Sequence, residues 1–288
     1  MTDPRPIGVF DSGVGGLTVL REIVRRLPGE STIYLGDNAR APYGTRTDDE
    51  VLVFTRQALD RLVERDVKAV VIACNTSTAV ALTDLRRRYP LPILGVIRPG
   101  AAAAALATRV RRVGVIATPA TVRSHAYFQA IKEENPAVEV YEHATPAFVP
   151  MVEAGLLAGP EVEATVRESL AALLGERDAS GEFIFPLPPS ARIDTLLLGC
   201  THYPLLRPVI QAVAGDGVAV VDSATATASA LVDLLAMNGL EAPAAGTADA
   251  VHRQLTTGEA EAFHVLAERL FGPGFADVAT VELPVAIA

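Results

Sequence analysis

A near-continuous apolar run over residues 67–73 is the feature that most restricts how this chain can fold. Such a run is typical of a parallel strand buried on both faces, because a strand with one wet face alternates apolar and polar residues. Parallel strands need a crossover connection, usually a helix, before the next strand begins. The run therefore predicts an α/β fold with a parallel sheet and helices packed on it.

The segments around this run alternate between strand and helix, as that fold requires. After Ile7–Asp11, apolar residues recur at helical spacing until Pro28. Thr47 and Glu50 form a capping-box pattern, which predicts the start of a second helix. The strands expected in this first part of the chain are residues 7–11, 32–35, 67–73 and 92–96.

The pattern then starts again in the second part of the chain. Residues 113–118 resemble residues 7–12, and residues 194–202 resemble residues 68–76. Each part has a Gly-containing strand that ends in a hydroxyl residue, and later an apolar strand that ends in Cys. We interpret this as a weak internal duplication in which the two cysteines of the chain occupy the same place.

The remaining segment begins at about Pro208, and no linker separates it from what precedes. Strands are expected at Val218–Val221 and Val251–Thr256, and a helix over Gly258–Leu270. Asp178–Arg192 is rich in Pro and Ser and is expected to be a surface loop within the second half.

Composition disfavours several classes of partner and compartment. Lys plus Arg is 25 and Asp plus Glu is 34 among 288 residues, for a formal net charge of −9. This balance disfavours nucleic acid or an anionic membrane as the main partner, since both attract basic surfaces. No signal peptide is evident, and no apolar run reaches the roughly 18 residues that a membrane span needs. We therefore expect a cytoplasmic protein without a disulfide framework, because the chain has only two cysteines.

The rarity of lysine bears on cofactor chemistry. Lys68 and Lys132 are the only lysines. Neither stands in a context that predicts a buried Schiff-base lysine, so pyridoxal-phosphate chemistry is disfavoured.

Both cysteines follow a predicted buried strand, at the sheet edge where open α/β proteins bind ligands. A Cys there can simply be a small buried hydrophobe, but matched positions for both favour chemistry. A disulfide is disfavoured in a reducing compartment, and a zinc site would need more ligands than Cys200 and His202. Acid–base chemistry remains, because the ordinary thiol pKa of about 8.5 suits proton transfer near neutral pH. Thiols on opposite faces of a stereocentre would racemise it without a cofactor.

Each thiol has a candidate partner that could tune it. Asp11 ends the strand expected beside that of Cys74, and could orient the thiol, accept its proton or cap the following helix. His202 could stabilise a Cys200 thiolate, or be a surface histidine. Glu153 could pair with His202, or be a solvated helix acid.

Short polar groups expected in loops after strands could hold a substrate. They are Ser12, Asn75, Thr76, Thr118, Thr121 and Thr201. The Gly-rich loop over residues 12–16 opens a helix whose free N–H groups favour an anion such as a carboxylate. Tyr43 and Gly44 form a predicted turn near the same edge, which as a plain turn would need no function.

The same Gly-rich loop allows a rival interpretation. Gly13, Gly15 and Gly16 follow a strand and open a helix, and Asp37 comes about 20 residues later, as in a dinucleotide site. However, Thr18 stands where a third glycine belongs, and this interpretation leaves the cysteine motifs unexplained. An NAD-dependent oxidoreductase therefore stays an alternative.

Five motifs occur in order across nearly the whole chain: IGVFDSGVGGLTVLREI, YLGDNARAPYG, VIACNTSTA, TLLLGCTHYPLL and QLTTGEAEAF. Together they resemble the bacterial glutamate racemases of the aspartate/glutamate racemase superfamily. The resemblance implies two similar α/β domains, each a parallel-sheet αβα sandwich, with the active site in the cleft between them. The domains would be residues 1–97 plus 209–288, and residues 98–208.

The resemblance also implies a function. Members interconvert L- and D-glutamate without a cofactor or metal, and supply D-glutamate for peptidoglycan and hence for cell-wall synthesis and cell shape. Cys74 and Cys200 would be the acid–base pair, acting on D- and L-glutamate respectively, and Glu153 would pair with His202. The residues that would bind substrate are Asp11, Ser12, Tyr43, Gly44, Asn75, Thr76, Thr118, Thr121, Thr201 and His202.

Some features depart from the family pattern. Thr145 stands where the family often has a Cys, which removes a third thiol without affecting the expected chemistry. The loop over residues 178–192 is longer than usual, so a homodimer is left open. The alternatives are an aspartate or hydantoin racemase, the NAD-dependent oxidoreductase, and a non-catalytic amino-acid-binding module.

Overall fold

The structure is a computed structural model, and it describes residues 2–177, 183–185, 192–243, 250–272 and 278–284. The chain divides into two compact units. The first comprises Met1–Val96 and Ala224–Ala288, and the second comprises Ile97–Ser223. Each unit contains its own parallel sheet, which confirms the predicted α/β class.

The strands and helices have the following bounds. The strands are β1 Ile7–Asp11, β2 Thr32–Gly36, β3 Ala69–Ile72, β4 Ile93–Gly95, β5 Arg112–Ala117, β6 Glu139–Ala144, β7 Glu176–Arg177, β8 Phe183–Phe185, β9 Thr195–Gly199, β10 Ala219–Asp222, β11 His252–Thr256 and β12 Val278–Thr280. The helices are α1 Leu17–Arg26, α2 Asp48–Val63, α3 Asn75–Arg88, α4 Ile97–Ala107, α5 Pro119–Ser124, α6 Ala126–Glu134, α7 Phe148–Glu153, α8 Pro160–Leu174, α9 Arg207–Ala214, α10 Ala224–Asn238 and α11 Ala260–Phe271. Within the described ranges, no helix combines the length and the apolar character needed to cross a membrane.

The two sheets share a strand order. In the first unit the order is β12-β11-β2-β1-β3-β4, and in the second it is β10-β9-β5-β6. Read from the other edge, the second sheet is β6-β5-β9-β10, which repeats β2-β1-β3-β4 in chain order as well as in space. This shared order supports the duplication inferred from the sequence. It makes β3 and β9, the strands that precede Cys74 and Cys200, equivalent.

The boundary between the units differs from the predicted one. Strand β10 pairs with β9, from Ala219 beside Thr195 to Asp222 beside Leu198. The second unit therefore continues through Ser223, and the return to the first unit lies at Ala224 rather than near residue 209. The apolar pattern could not reveal this, because it shows that a strand exists but not which sheet it joins.

Local packing follows the sequence pattern in the strands that carry the cysteines. Every residue of β1, β3 and β9 is buried, as the continuous apolar runs predict. The capping box before α2 is also confirmed. Thr47 Oγ1 accepts a hydrogen bond from the Glu50 amide at 3.3 Å, and Glu50 Oε2 accepts one from the Thr47 amide at 2.9 Å.

Lys68 is buried, in an ion pair that the sequence did not predict. Its side chain is fully buried, with Nζ 2.5 Å from Glu30 Oε2. Nζ also donates to the Asp3 carbonyl at 2.7 Å, and Glu30 Oε1 accepts from the Ala242 amide at 2.7 Å. A buried charge is tolerated here because an opposite charge compensates it.

The predicted loop over residues 178–192 is partly a strand. Strand β8 pairs antiparallel with β7 and forms a small two-stranded sheet. Residues 178–182 and 186–191 lie outside the described residues.

Candidate active site

In the first unit, an acid and a thiol lie at the carboxyl ends of neighbouring strands. Phe10 of β1 is in register with Ile72 of β3, so Asp11 and the residues after β3 emerge side by side. The Ala73 amide donates to the Phe10 carbonyl at 2.8 Å, which continues the pairing to within one residue of Cys74. Asp11 is fully buried, and its Oδ2 accepts from the Gly13 amide at 3.0 Å.

Cys74 is the N-cap of α3. Its Sγ accepts a hydrogen bond from the Ser77 amide at 3.4 Å and donates to Ser12 Oγ at 3.6 Å. Only Ala73 separates β3 from this cap. Asn75 and Thr76 are therefore the buried first residues of α3, and not loop residues as predicted.

The surroundings of Cys74 favour its neutral form. Burial, and then the negative charge of Asp11, raise the pKa of the thiol to about 11, while the hydrogen bonds with Ser77 and Ser12 oppose this rise. In the free protein the thiol is thus protonated at neutral pH. It therefore carries the proton that a general acid must supply, and it needs an acceptor for that proton before it can act as a base.

The Tyr43–Gly44 turn is buried and anchored by Asp37. Tyr43 and Gly44 lie in the short 3₁₀ turn Tyr43–Thr45, and the Tyr43 hydroxyl donates to Asp37 Oδ2. The same oxygen accepts from Arg40 Nε at 2.7 Å, and Asp37 Oδ1 accepts from Thr257 Oγ1 at 2.7 Å. Both oxygens of Asp37 thus accept hydrogen bonds from protein groups. These bonds account for a buried acid at this position without the nucleotide ribose that a dinucleotide site would place there.

The Gly-rich loop is packed tightly against Asp11. A Cβ atom on Gly16 would lie 2.4 Å from Asp11 Cβ and 2.8 Å from the Tyr34 hydroxyl oxygen, so only glycine fits. The fully buried Tyr34 donates to the Gly13 carbonyl at 2.6 Å. Sequence reasoning missed Tyr34, although a tyrosine in a predicted buried strand indicates a hydroxyl that needs a partner.

In the second unit, an imidazole lies between a thiol and a carboxylate. Cys200 Sγ lies 3.8 Å from His202 Nδ1, and His202 Nε2 lies 3.2 Å from Glu153 Oε1. Cys200 and His202 are buried, and the Glu153 side chain is 32% exposed. The histidine is thus part of the protein interior and not a surface residue.

The carboxylate fixes how the histidine can work. An ionised carboxylate only accepts hydrogen bonds, so Nε2 carries the hydrogen that faces Glu153. Nδ1 of neutral His202 is then left as an acceptor towards Cys200. After it takes the thiol proton, the imidazolium can stabilise the thiolate.

Threonines surround this second group. Strands β5 and β9 are neighbours, with Ala117 in register with Gly199, so Thr118 and Cys200 follow adjacent strand ends. Thr118 Oγ1 caps α5 by accepting from the Thr121 amide at 3.4 Å, and the two hydroxyls are 3.1 Å apart. Thr121 therefore lies within α5 and not in a loop as predicted. Thr201 Oγ1 is 3.5 Å from His202 Nδ1.

The predicted site residues thus form two groups, one in each unit. The first group contains Asp11, Ser12, Tyr43, Gly44, Cys74, Asn75 and Thr76, and the second contains Thr118, Thr121, Glu153, Cys200, Thr201 and His202. Both cysteines are free thiols. Across the part of the chain that the structure describes, no three His, Cys, Asp or Glu residues are grouped as metal ligands. Each group can therefore donate or accept a proton at a buried sulfur.

Known proteins resemble this chain in sequence and in fold. The family model for Asp/Glu/Hydantoin racemases matches residues 7–181. The glutamate racemase of Shouchella clausii is 46% identical over 279 residues, which are 97% of this chain and 95% of the relative. The glutamate racemase isoform RacE1 of Bacillus anthracis is 40% identical, with a TM-score of 0.87 over 98% of this chain and 99% of that one. The Francisella tularensis glutamate racemase, solved with D-glutamate, is 34% identical, with a TM-score of 0.84 over 97% and 98%.

The chain therefore belongs to the Asp/Glu/hydantoin racemase family, whose members are isomerases. Within that family, the three relatives just described, which it matches over nearly the full length of both chains, are glutamate racemases.

Proposed function

We propose that this protein interconverts L- and D-glutamate without a cofactor, with Cys74 and Cys200 as its acid–base pair. The observation that supports this most strongly is the equivalence of the two thiols. Each is buried, free and placed after the same strand of a repeated sheet. Two hydrophobic cysteines with no chemical role would not need matching places or separate polar partners.

The proposed reaction conserves protons. One cysteine, as thiolate, removes the α-hydrogen as a proton, and the C–H electron pair remains on the α-carbon. The other cysteine, as thiol, transfers its S–H proton to the opposite face of that carbon. The first sulfur becomes a thiol and the second a thiolate, so the enzyme is set for the reverse direction.

The partners of the two thiols suit this exchange. Asp11 is a buried carboxylate whose charge acts on Cys74, and His202 Nδ1 lies 3.8 Å from Cys200 Sγ. Cys74 would act on D-glutamate and Cys200 on L-glutamate, an assignment that rests on the family resemblance.

Substrate binding would use hydroxyl and amide groups. Ser12, Thr76, Thr118, Thr121 and Thr201 supply hydroxyls at the strand ends. The first amides of α3 add donors that favour a carboxylate. Such preorganised donors also stabilise the charge that develops when the α-proton leaves. The substrate class is supported by relatives solved with D-glutamate, from Francisella tularensis, and with L-glutamate, from Escherichia coli.

The proposed cellular role is the supply of D-glutamate for peptidoglycan. A cytoplasmic location accords with this role, because cell-wall precursors are assembled there. The acidic composition, with a formal net charge of −9, gives no reason to expect binding to nucleic acid or to an anionic membrane.

The deciding experiment is racemisation in D₂O. The purified protein receives L-glutamate with a chelator and without pyridoxal phosphate, metal or nicotinamide. Chiral separation and mass spectrometry then report D-glutamate and its α-deuterium, with a Cys74→Ser/Cys200→Ser protein as the control for contaminating racemase. Labelled D-glutamate from the unsubstituted protein alone is the expected result.

The absence of product from folded, reduced protein would contradict the proposal. The same assay with aspartate and hydantoins would then test the nearest alternatives. A nicotinamide titration would test the oxidoreductase, and binding without turnover would indicate an amino-acid-binding module.

A further inference from the structure

We infer that Thr145 and Tyr203 form a positioning pair, which holds Glu153 against His202 and thereby sets the reactivity of Cys200. This inference rests on the proposed function, because it concerns one of the two proposed acid–base groups. Neither Thr145 nor Tyr203 is assigned to substrate or proton transfer. Both act through other side chains.

The pair is joined by two hydrogen bonds in opposite directions. Thr145 Oγ1 donates to the Tyr203 hydroxyl oxygen at 2.8 Å, and that hydroxyl donates to the Thr145 carbonyl at 3.0 Å. Both side chains are fully buried. Because a buried hydroxyl without a partner is costly, each residue depends on the other for its place.

Tyr203 connects the pair to the thiol. It directly follows His202, and it begins the 3₁₀ turn Tyr203–Leu206 after β9. Any shift of Tyr203 therefore moves the backbone that carries His202 and Cys200.

Thr145 connects the pair to the carboxylate. It directly follows β6, and its carbonyl also accepts from the Phe148 amide at 3.3 Å, at the start of α7. The fully buried Phe148 ring meets the Tyr203 ring edge-on, with centroids 5.1 Å apart. Glu153 is the last residue of α7. A displacement of Thr145 would therefore shift this short helix and with it the Glu153 carboxylate.

The consequence follows from distances that are already long. The Sγ–Nδ1 separation is 3.8 Å and the Nε2–Oε1 separation is 3.2 Å, so a small displacement of either end weakens the arrangement. Without the pair, Glu153 would orient His202 less firmly. His202 would then accept the Cys200 proton less effectively.

The test uses the fact that the chain has only two cysteines, so that Cys74→Ser leaves Cys200 as the sole thiol. In that background we would compare Thr145→Val, Tyr203→Phe and Thr145→Ser by alkylation with iodoacetamide. The measured quantity is the rate at about pH 7 divided by the rate at about pH 10, a ratio that reports ionisation and cancels changes in accessibility.

We expect this ratio to fall about threefold in Thr145→Val and in Tyr203→Phe, because both lose a hydroxyl of the pair, and to be retained in Thr145→Ser. The matched control is Thr227→Val. Thr227 is a buried threonine of the first unit whose hydroxyl has no hydrogen-bond partner among the described residues. Its ratio should equal that of the Cys74→Ser parent. Thermal unfolding of each variant verifies that the fold is intact.

The His202→Asn variant distinguishes an effect that acts through the histidine from a purely structural effect of the pair. If the pair acts through the histidine, Thr145→Val should leave the ratio unchanged when His202→Asn is already present. An unchanged ratio in folded Thr145→Val and Tyr203→Phe, or an equal fall with and without His202, would overturn the inference. The measurement needs no glutamate, so it distinguishes failure of the pair from failure of the proposed racemisation.

Discussion

Asp11 and Cys74 are buried at the ends of neighbouring strands, and the charge of the acid, after burial itself, raises the pKa of the thiol to about 11. The negative charge of Asp11 therefore makes the Cys74 thiol harder to ionise than burial alone would. A buried carboxylate beside a buried thiol disfavours the thiolate until a substrate or a proton acceptor changes the local charge.

Replacing Asp11 by Asn should lower the pKa of Cys74, because it removes the negative charge that opposes ionisation. Burial persists, so we expect the pKa of Cys74 to lie below about 11 and still above that of an ordinary thiol. The pH dependence of alkylation in a Cys200→Ser background measures it. Asp84→Asn, which removes a carboxylate from the surface of α3, is the control and should leave the midpoint unchanged. An unchanged midpoint in Asp11→Asn would show that burial alone raises the pKa.

Replacing either cysteine by serine should nearly abolish racemisation. Each face of the α-carbon needs its own acid or base, and a positioned acid–base group contributes about 10²–10⁴-fold. Turnover of Cys74→Ser and of Cys200→Ser is measured in both directions, with glutamate binding as the check on the site. Near-normal racemisation by either single variant would rule out the two-thiol mechanism.

The His202→Asn variant makes a subtler prediction. Enantiomers have equal free energies, so kcat/KM must fall equally in the two directions whatever the residue does. If His202 serves only Cys200, that proton transfer becomes the slower one. The primary isotope effect should then rise with α-deuterated L-glutamate and fall with α-deuterated D-glutamate. Equal changes from both enantiomers would indicate a role shared by the two thiols.

Gly16→Ala should reduce activity far more than Gly29→Ala. The new Cβ at Gly16 would lie 2.4 Å from Asp11 Cβ, so Asp11 or the loop must move, whereas a Cβ at Gly29 meets nothing within 4 Å. Turnover and thermal stability of both variants are compared. If Gly16→Ala kept full turnover, the position of Asp11 would not matter to the reaction.

Lys68→Met should destabilise the fold by about 3–5 kcal/mol, because it leaves the Glu30 carboxylate buried and uncompensated. Adding Glu30→Gln should recover much of this loss, since the amide oxygen can still accept from Ala242 while the charge is gone. Urea unfolding of the single and double variants measures the difference. No recovery in the double variant would mean that the lysine stabilises through its packing and its bond to Asp3 instead.

The parallel sheets could be predicted because their strands have a recognisable sequence pattern. Continuous apolar runs mark β3 and β9, and the Thr47 capping box marks the start of α2. Those patterns do not show which strands pair with each other. Nothing in Val218–Val221, for example, indicates which sheet that strand joins. The same gap hid the burial of Lys68, because its partner Glu30 is distant in sequence.

Some residues of the candidate site could likewise be predicted from the sequence, and others could not. Cys74, Cys200 and His202 could be named because they lie at strand ends in short motifs. Tyr34, Thr145 and Tyr203 could not be given a role from the sequence, because each acts through a contact with a residue from another strand or loop. Asn75 and Thr121 were expected in loops, yet they are helical, since Cys74 and Thr118 cap their helices within two residues of the strand end.

The repeated strand order has a consequence for a reaction whose substrate and product are mirror images. A chain made only of L-amino acids cannot build the reflection of a site that it already has. It can, however, use one scaffold twice and vary the neighbour of the reacting atom, a carboxylate beside Cys74 and an imidazole beside Cys200. Under the proposed function, the two enantiomers would thus be handled by two copies of one topology that differ in the group beside the thiol.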